Sequence, residues 1–200
     1  MRDEGDLIRA AAGGDRWAFE QIVLLKREQV VRTAYQVTGD LEEARDVAQT
    51  VFLRLLRVLR RFDPGRHFDT WLYRITVNLA IDQLRTRGPR GMIQPLPADP
   101  GALALSTSPS AEEALHLAEL QHAFLRLAAR LAPKQRAAFV LKEIEGLDTA
   151  EVARVLGVRQ STVRNHLLQA RRILRAGLER DYPGLVSSMP PGAGKKEGSS

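Results

Sequence analysis

Between Arg159 and Arg175 the chain carries five arginines and no acidic residue, interleaved with Gln160, Ser161 and Asn165. A guanidinium is a planar fork that matches phosphate oxygens and the paired acceptors of guanine. An amide matches the adenine edge, and a hydroxyl bonds either a base or the backbone. None of these groups makes or breaks a bond. Gathered on one side of a rigid element, they grip a polyanion.

That rigid element is legible upstream and within the segment itself. Val163, Leu167, Ala170 and Leu174 recur at spacings of four, three and four, which predicts one apolar stripe on a helix beginning near Gln160. Ser161, Asn165, Leu168 and Arg172 then fall on the opposite face, with Arg164 and Arg175 beside them. Before it, Asp148-Thr-Ala-Glu151 has the pattern of a capping box, in which side chains satisfy the orphan amides of a helix start. A short helix to Leu156, a turn at Gly157 and a cationic helix give the helix-turn-helix layout over about Thr149–Leu174. The position where Ser or Thr would cap the second helix holds Arg159.

Other chemistries find no support. His67, His116, His122 and His166 are scattered, there is no cysteine and no HExxH pair, and so neither a metal nor a cofactor is expected. Gly192-Ala-Gly-Lys195-Lys196 lacks the spacing of a phosphate-binding loop, and no serine sits in a nucleophile elbow. No catalytic residue is assigned. Lys+Arg total 30 against 24 Asp+Glu, a net +6 carried mostly by arginine, which suits a polyanionic partner but is a weak signal alone. With no signal peptide and no run of 18 apolar residues, the expected location is cytoplasmic, without membrane insertion.

The N-terminal part has its own pattern. Asp40-Leu-Glu-Glu43 reads as a second capping box opening a helix whose Ala44, Val47, Ala48, Val51, Phe52, Leu55 and Leu59 form a buried stripe. Its other face presents Asp46, Gln49, Thr50, Leu53, Arg57 and Arg60. A leucine among polar side chains fits either a lone exposed apolar residue or the centre of a protein contact. Next come a Pro-Gly loop between Phe62 and Phe68, then a helix from near Asp69. Trp71, Leu72, Ile75 and Leu79 are expected to bury there, while Asn78, Asp82 and Arg85 share a polar face. Aromatics among Arg54, Arg57, Arg60, Arg61, Arg66 and Arg74 suit stacking on single-stranded bases. Phe68 and Trp71 also suit a core, the preferred reading for Trp71.

The predicted fold is all-α, with two small helical domains. Segment 88–111 is rich in Pro, Gly, Ser and Ala and reads as a flexible linker between domains at 1–87 and 112–182; 183–200 reads as a disordered tail.

Two motif sets now resemble one family. Asp46-Val-Ala-Gln49-Thr-Val-Phe52-Leu-Arg54 with Phe68-Asp-Thr-Trp71-Leu-Tyr73-Arg74 through Asn78, Asp82 and Arg85 is similar to domain two of bacterial sigma factors. Leu131-Ala-Pro133, Glu143-Ile-Glu-Gly146-Leu, Glu151-Val-Ala153 and Ser161-Thr-Val163-Arg164 resemble their domain four. The extracytoplasmic-function (ECF) group keeps only these two domains. The resemblance implies a promoter-specificity factor for core RNA polymerase, acting on promoter DNA. Asp46, Gln49, Thr50, Leu53 and Arg57 would dock on the β′ clamp helices, and domain four on the β flap. Arg61, Arg66, His67, Phe68, Tyr73, Arg74, Asn78 and Asp82 would recognise and open the minus-ten element. Arg159, Gln160, Ser161, Thr162, Arg164, Asn165, Leu168, Arg171 and Arg172 would read the minus-thirty-five element. An anti-sigma factor is a further candidate partner.

Magnitudes set the terms of such a mechanism. Opening about eight base-pair steps costs roughly 11 kcal/mol, while stacking one or two flipped bases returns only ~1–6 kcal/mol. Two duplex sites two turns apart lie ~70 Å from one another, whereas a flexible 24-residue linker averages ~27 Å end to end. Both point to a factor that works on a polymerase scaffold. The rival reading, a one-component helix-turn-helix regulator binding duplex DNA as a dimer, explains residues 148–175 but not the pattern from Asp46 to Arg85.

Overall fold

A computed structural model describes residues 3–63, 67–87 and 111–183. The expected linker up to residue 110, the expected tail from residue 184, and Arg66 lie outside the described residues. Regular structure among the described residues is helical: α1 (Glu4–Ala12), α2 (Arg16–Thr38), α3 (Leu41–Val58), α4 (Phe68–Arg87), α5 (Ala111–Ala128), α6 (Pro133–Phe139), α7 (Thr149–Leu156) and α8 (Gln160–Asp181). A 3-10 turn, Leu59–Arg61, follows α3, and a π-helical turn, Val140–Ile144, continues α6.

In the N-terminal half α1, α3 and α4 pack around α2. Asp15 and Asp40 cap α2 and α3 by accepting the backbone N–H groups of Ala18 and Glu43. The α3 stripe is buried at Ala44, Val47, Ala48, Val51 and Leu55, with Leu59 just beyond; Phe52 is half-buried. Lys26 ties three helices together. Its ammonium lies 2.8 Å from Glu4 of α1 and 2.9 Å from Asp69 in the first turn of α4, with little of its side chain left to solvent.

The C-terminal half stacks α5, α6 and α7 against α8. Val163, Leu167, Ala170 and Leu174 form the buried stripe of α8, as their spacing predicts. α5 and α8 meet through a separate small cluster of Leu127, Ala128, Leu131, Ala170 and Leu174.

The two halves are not merely tethered. α4 packs on α7 and α6, and the principal apolar core runs through both halves without a break. This is why α4 buries more than one stripe: Leu72, Tyr73, Ile75, Thr76, Val77, Ala80 and Ile81 are all buried. Trp71 and Leu79, expected to bury, stay half-buried. The seam has polar contacts as well. Arg136 of α6 is buried and donates from Nε to the Gln36 carbonyl at the end of α2, at 2.7 Å. Glu145, just past the π turn, lies against α2 and α4, its side chain only 3% exposed.

Candidate nucleic-acid interface

α7 begins with a reciprocal capping box. Asp148 accepts the Glu151 N–H at 2.7 Å, and Glu151 accepts the Asp148 N–H at 2.9 Å. Gly157 turns the chain in the left-handed region (φ 63°), which a side chain would disfavour, and α8 starts three residues later. Arg159 stands at the cap position of α8 and supplies no side-chain hydrogen bond there. The first-turn amides of α8 therefore remain available to an anion at the helix's positive end.

The outer face of α8 is as its periodicity predicts. Arg159, Gln160, Ser161, Arg164, Asn165, Leu168, Arg171 and Arg172 are exposed, and Thr162 is half-buried. Leu168, 64% exposed, puts an apolar side chain among donors, the kind of contact that suits a thymine methyl. The arginines are not equivalent. Arg171 binds Glu143 at 2.7 Å and Arg175 binds Glu179 at 2.9 Å, whereas Arg159, Arg164 and Arg172 have no carboxylate partner among the described residues. The latter three are exposed to solvent. His166, half-buried beside Lys134, has its pKa lowered by burial first and by the lysine charge second, so its ring favours the neutral form.

On α4, Arg74, Asn78, Asp82 and Arg85 form an exposed polar line, with Arg85 3.6 Å from Asp82. His67 and Arg61 are exposed at the two ends of the preceding loop. Phe68 and Tyr73, expected at the minus-ten element, are both buried. Phe68 packs edge-on against Phe62 with centroids 5.5 Å apart, and Trp71 tilts over Phe62 at 4.9 Å. Phe62, Phe68 and Trp71 thus form one three-ring cluster. Beside it a cavity of about 440 Å³ is lined by Ile8, Phe62, His67, Phe68, Asp69 and Thr70, and also by Glu151 from the opposite half.

Tyr73 is sealed by the other half. Its hydroxyl donates to Glu145 at 2.8 Å, and Thr33 donates to the same carboxylate at 2.8 Å, with Arg32 at 3.4 Å. Burial first and the neighbouring carboxylate second push the Tyr73 phenol well above its ordinary pKa, so it stays protonated and donating.

On α3, Asp46, Gln49, Thr50, Leu53 and Arg57 are all exposed. Leu53 is joined by Leu56, 53% and 56% exposed respectively, so the outward leucine is one of a pair. Leu56 was missed by the sequence reading, although its spacing of three from Leu53 signals it. Leu24 and Leu25 on the adjoining α2 are exposed too, and nothing in a single exposed apolar run marks which side faces water.

The model described as sigma-70 region 2 matches residues 24–90, and that described as sigma-70, region 4 matches residues 121–174. The ECF RNA polymerase sigma factor SigE of Mycolicibacterium smegmatis is 35% identical over 167 residues, 82% of this chain and 64% of that protein's length. SigW of Bacillus subtilis, another ECF sigma factor, is 31% identical over 86% of this chain and 94% of its own length. Among solved structures, CnrH in complex with the cytosolic domain of CnrY superposes with a TM-score of 0.65 at 27% identity, covering 89% of this chain and 98% of that one.

Proposed function

This chain belongs to the sigma-70 family, in the ECF group of promoter-directing RNA polymerase initiation factors, and we propose that it divides that task between its two halves. Residues 1–87 dock on the polymerase β′ clamp helices and recognise and open the minus-ten element. Residues 112–182 read the minus-thirty-five element and meet the β flap. The site is the cytoplasm, where core polymerase and promoter DNA are. The chain makes and breaks no bonds.

The observation that carries this reading is the exposed outer face of α8, where Arg164 and Arg172 have no carboxylate partner among the described residues and flank Asn165 and Leu168. It is paired, on the same chain, with the outward Leu53 and Leu56 of α3. One face suits a major groove and the other a protein surface. On α4, Arg74, Asn78 and Asp82 are the polar groups available to single-stranded minus-ten DNA. The stacking energies above leave polymerase to supply the remainder of opening. An anti-sigma partner belongs to the proposal as well, on the likeness to CnrH, which was solved in complex with the cytosolic domain of CnrY.

Run-off transcription on genomic fragments tests it, with core polymerase in the presence and absence of the purified chain. New, discrete transcripts that require the chain are expected. A chain that leaves core enzyme unbound yet dimerises on duplex operators unaided overturns the reading in favour of a one-component regulator.

A further inference from the structure

Among the described residues only two cationic side chains are buried, Arg136 and Lys26. Lys26 stands on α2, and both of its carboxylate partners belong to the same N-terminal half. Glu4 of α1 lies 2.8 Å from the ammonium and Asp69 of α4 lies 2.9 Å from it. Desolvating an ammonium is costly, and an apolar side chain of similar length would fill the same space. What the charge adds is direction. Phe62, Phe68 and Trp71 hold the start of α4 through ring contacts with centroids 4.9, 5.5 and 6.1 Å apart, and apolar packing of this kind tolerates small slides and rotations. A charge-assisted hydrogen bond to one carboxylate oxygen is far less forgiving.

Asp69 lies in the first turn of α4, directly after His67 and Phe68. Its pair with Lys26 is the only ion pair that joins α4 to another helix among the described residues. At ~100° per residue, Asn78 points away from Asp69 across the helix, and Arg74 and Asp82 lie within ~40° of Asn78. These three are the exposed groups that the functional reading assigns to the minus-ten strand. Lys26 therefore grips α4 from the inner side. Its hold fixes how far along its axis the helix sits and how the outer line is rotated, and a rigid helix carries that setting over the ~13 Å from Asp69 to Asn78.

We propose that Lys26 is a positioning residue for promoter opening, which acts through Asp69 to set the register of α4 so that Arg74, Asn78 and Asp82 meet the separated minus-ten strand in alignment. The role rests on the functional reading above. Loss of the ammonium need not unfold the chain, because the side chains of Glu4 and Asp69 are 43% and 50% exposed and can turn to water. α4 then keeps its rings and its core but loses its fixed start. Capture of a strand depends on alignment with successive bases, so opening suffers while the α3 and α8 faces are untouched.

The test uses the full chain with core polymerase on a promoter that gives chain-dependent run-off transcripts. Core binding is followed by anisotropy, promoter binding by filter retention, and opening by the permanganate reactivity of unpaired thymines over time. K26M should bind core enzyme and duplex promoter within about twofold of the unmodified chain. It should open the promoter about tenfold more slowly, the rate equivalent of one lost strand contact. D69N should be slow in the same way. E4Q, which loosens α1 and leaves the Asp69 contact in place, should open within about twofold of normal. On a template already unpaired across the minus-ten element, K26M should match the unmodified chain, because no opening is required. Normal opening by K26M or D69N overturns the positioning role. So does an equal loss in E4Q, or a K26M defect that persists on the unpaired template, since either marks a general structural loss. Failure of the unmodified chain to support run-off transcription overturns the functional reading itself, and the positioning role falls with it.

Discussion

The Tyr73 hydroxyl donates a 2.8 Å hydrogen bond to the carboxylate of Glu145, 72 residues further along the chain. The bond joins the helix expected to open the minus-ten element to the segment just ahead of the helix-turn-helix. Both groups are almost fully withdrawn from water, so each depends on the other for satisfaction. A residue assigned to DNA by its place in a motif is thus, in the closed chain, a structural donor.

Tyr73→Phe removes one donor from this carboxylate while keeping the ring in place. Thr33 and Arg32 remain, so the expected loss is about 1–2 kcal/mol of folding stability, read as a lower urea midpoint with an unchanged slope. An unchanged midpoint would mean the hydrogen bond contributes nothing net.

Leu53→Asp places a charge at the centre of the exposed α3 face. Leu53 is 53% exposed, so the unfolding midpoint should stay within error. Core-enzyme binding, followed by fluorescence anisotropy, should weaken at least tenfold, about 1.4 kcal/mol. Full assembly with polymerase would return this leucine to the class of ordinary exposed residues.

Arg164→Ala should weaken recognition of the minus-thirty-five element by about 1–3 kcal/mol and leave polymerase binding intact. Arg172→Ala should cost more than Arg171→Ala, because Arg171 already holds Glu143 at 2.7 Å. Filter binding of holoenzyme to promoter fragments measures all three. Equal loss of DNA and polymerase binding would refute the division of labour between α3 and α8.

Lys26 supplies a pH dependence with a definite sign. Burial disfavours its charge, but hydrogen bonds and attraction from Glu4 and Asp69 outweigh that, and its pKa is raised above 10.5. The stability it contributes is fully present below 10.5 and is lost as pH climbs through the raised value. Thermal melts of the wild type and Lys26→Met should therefore differ by a constant amount from neutrality to about pH 9 and converge in strong alkali. A difference that already collapses between neutrality and about pH 9, where Lys26 keeps its charge, would argue against this assignment.

Gly39→Ala tests a position constrained twice. Gly39 closes α2 in the left-handed region at φ 81°, and a Cβ there would lie 3.0 Å from Nη2 of Arg136. The backbone term alone costs about 1–2 kcal/mol; crowding of Arg136 should add to it and loosen the seam. Chemical denaturation of the variant, read as a lowered midpoint, measures the combined cost.

What the sequence determined by itself is the local grammar. The α7 capping box, the Gly157 turn, the stripe of α8 and its outward arginines were all readable, because each depends on residues one to four positions apart. The same holds for the α3 stripe and for the polar face of Asn78, Asp82 and Arg85. The two motif sets carried the family. Tertiary structure alone decided that α4 would be buried on more than one side, that Phe68 and Tyr73 would turn inward, and that Arg171 would be engaged by Glu143. It also made Glu145 a partner of Thr33 across a separation of 112 residues. Periodicity reports that a helix face is apolar or polar; it carries no information on which distant helix will cover that face. A lone tyrosine or glutamate has no period at all, so its burial is fixed only when two segments far apart in the chain close on one another and shut out water.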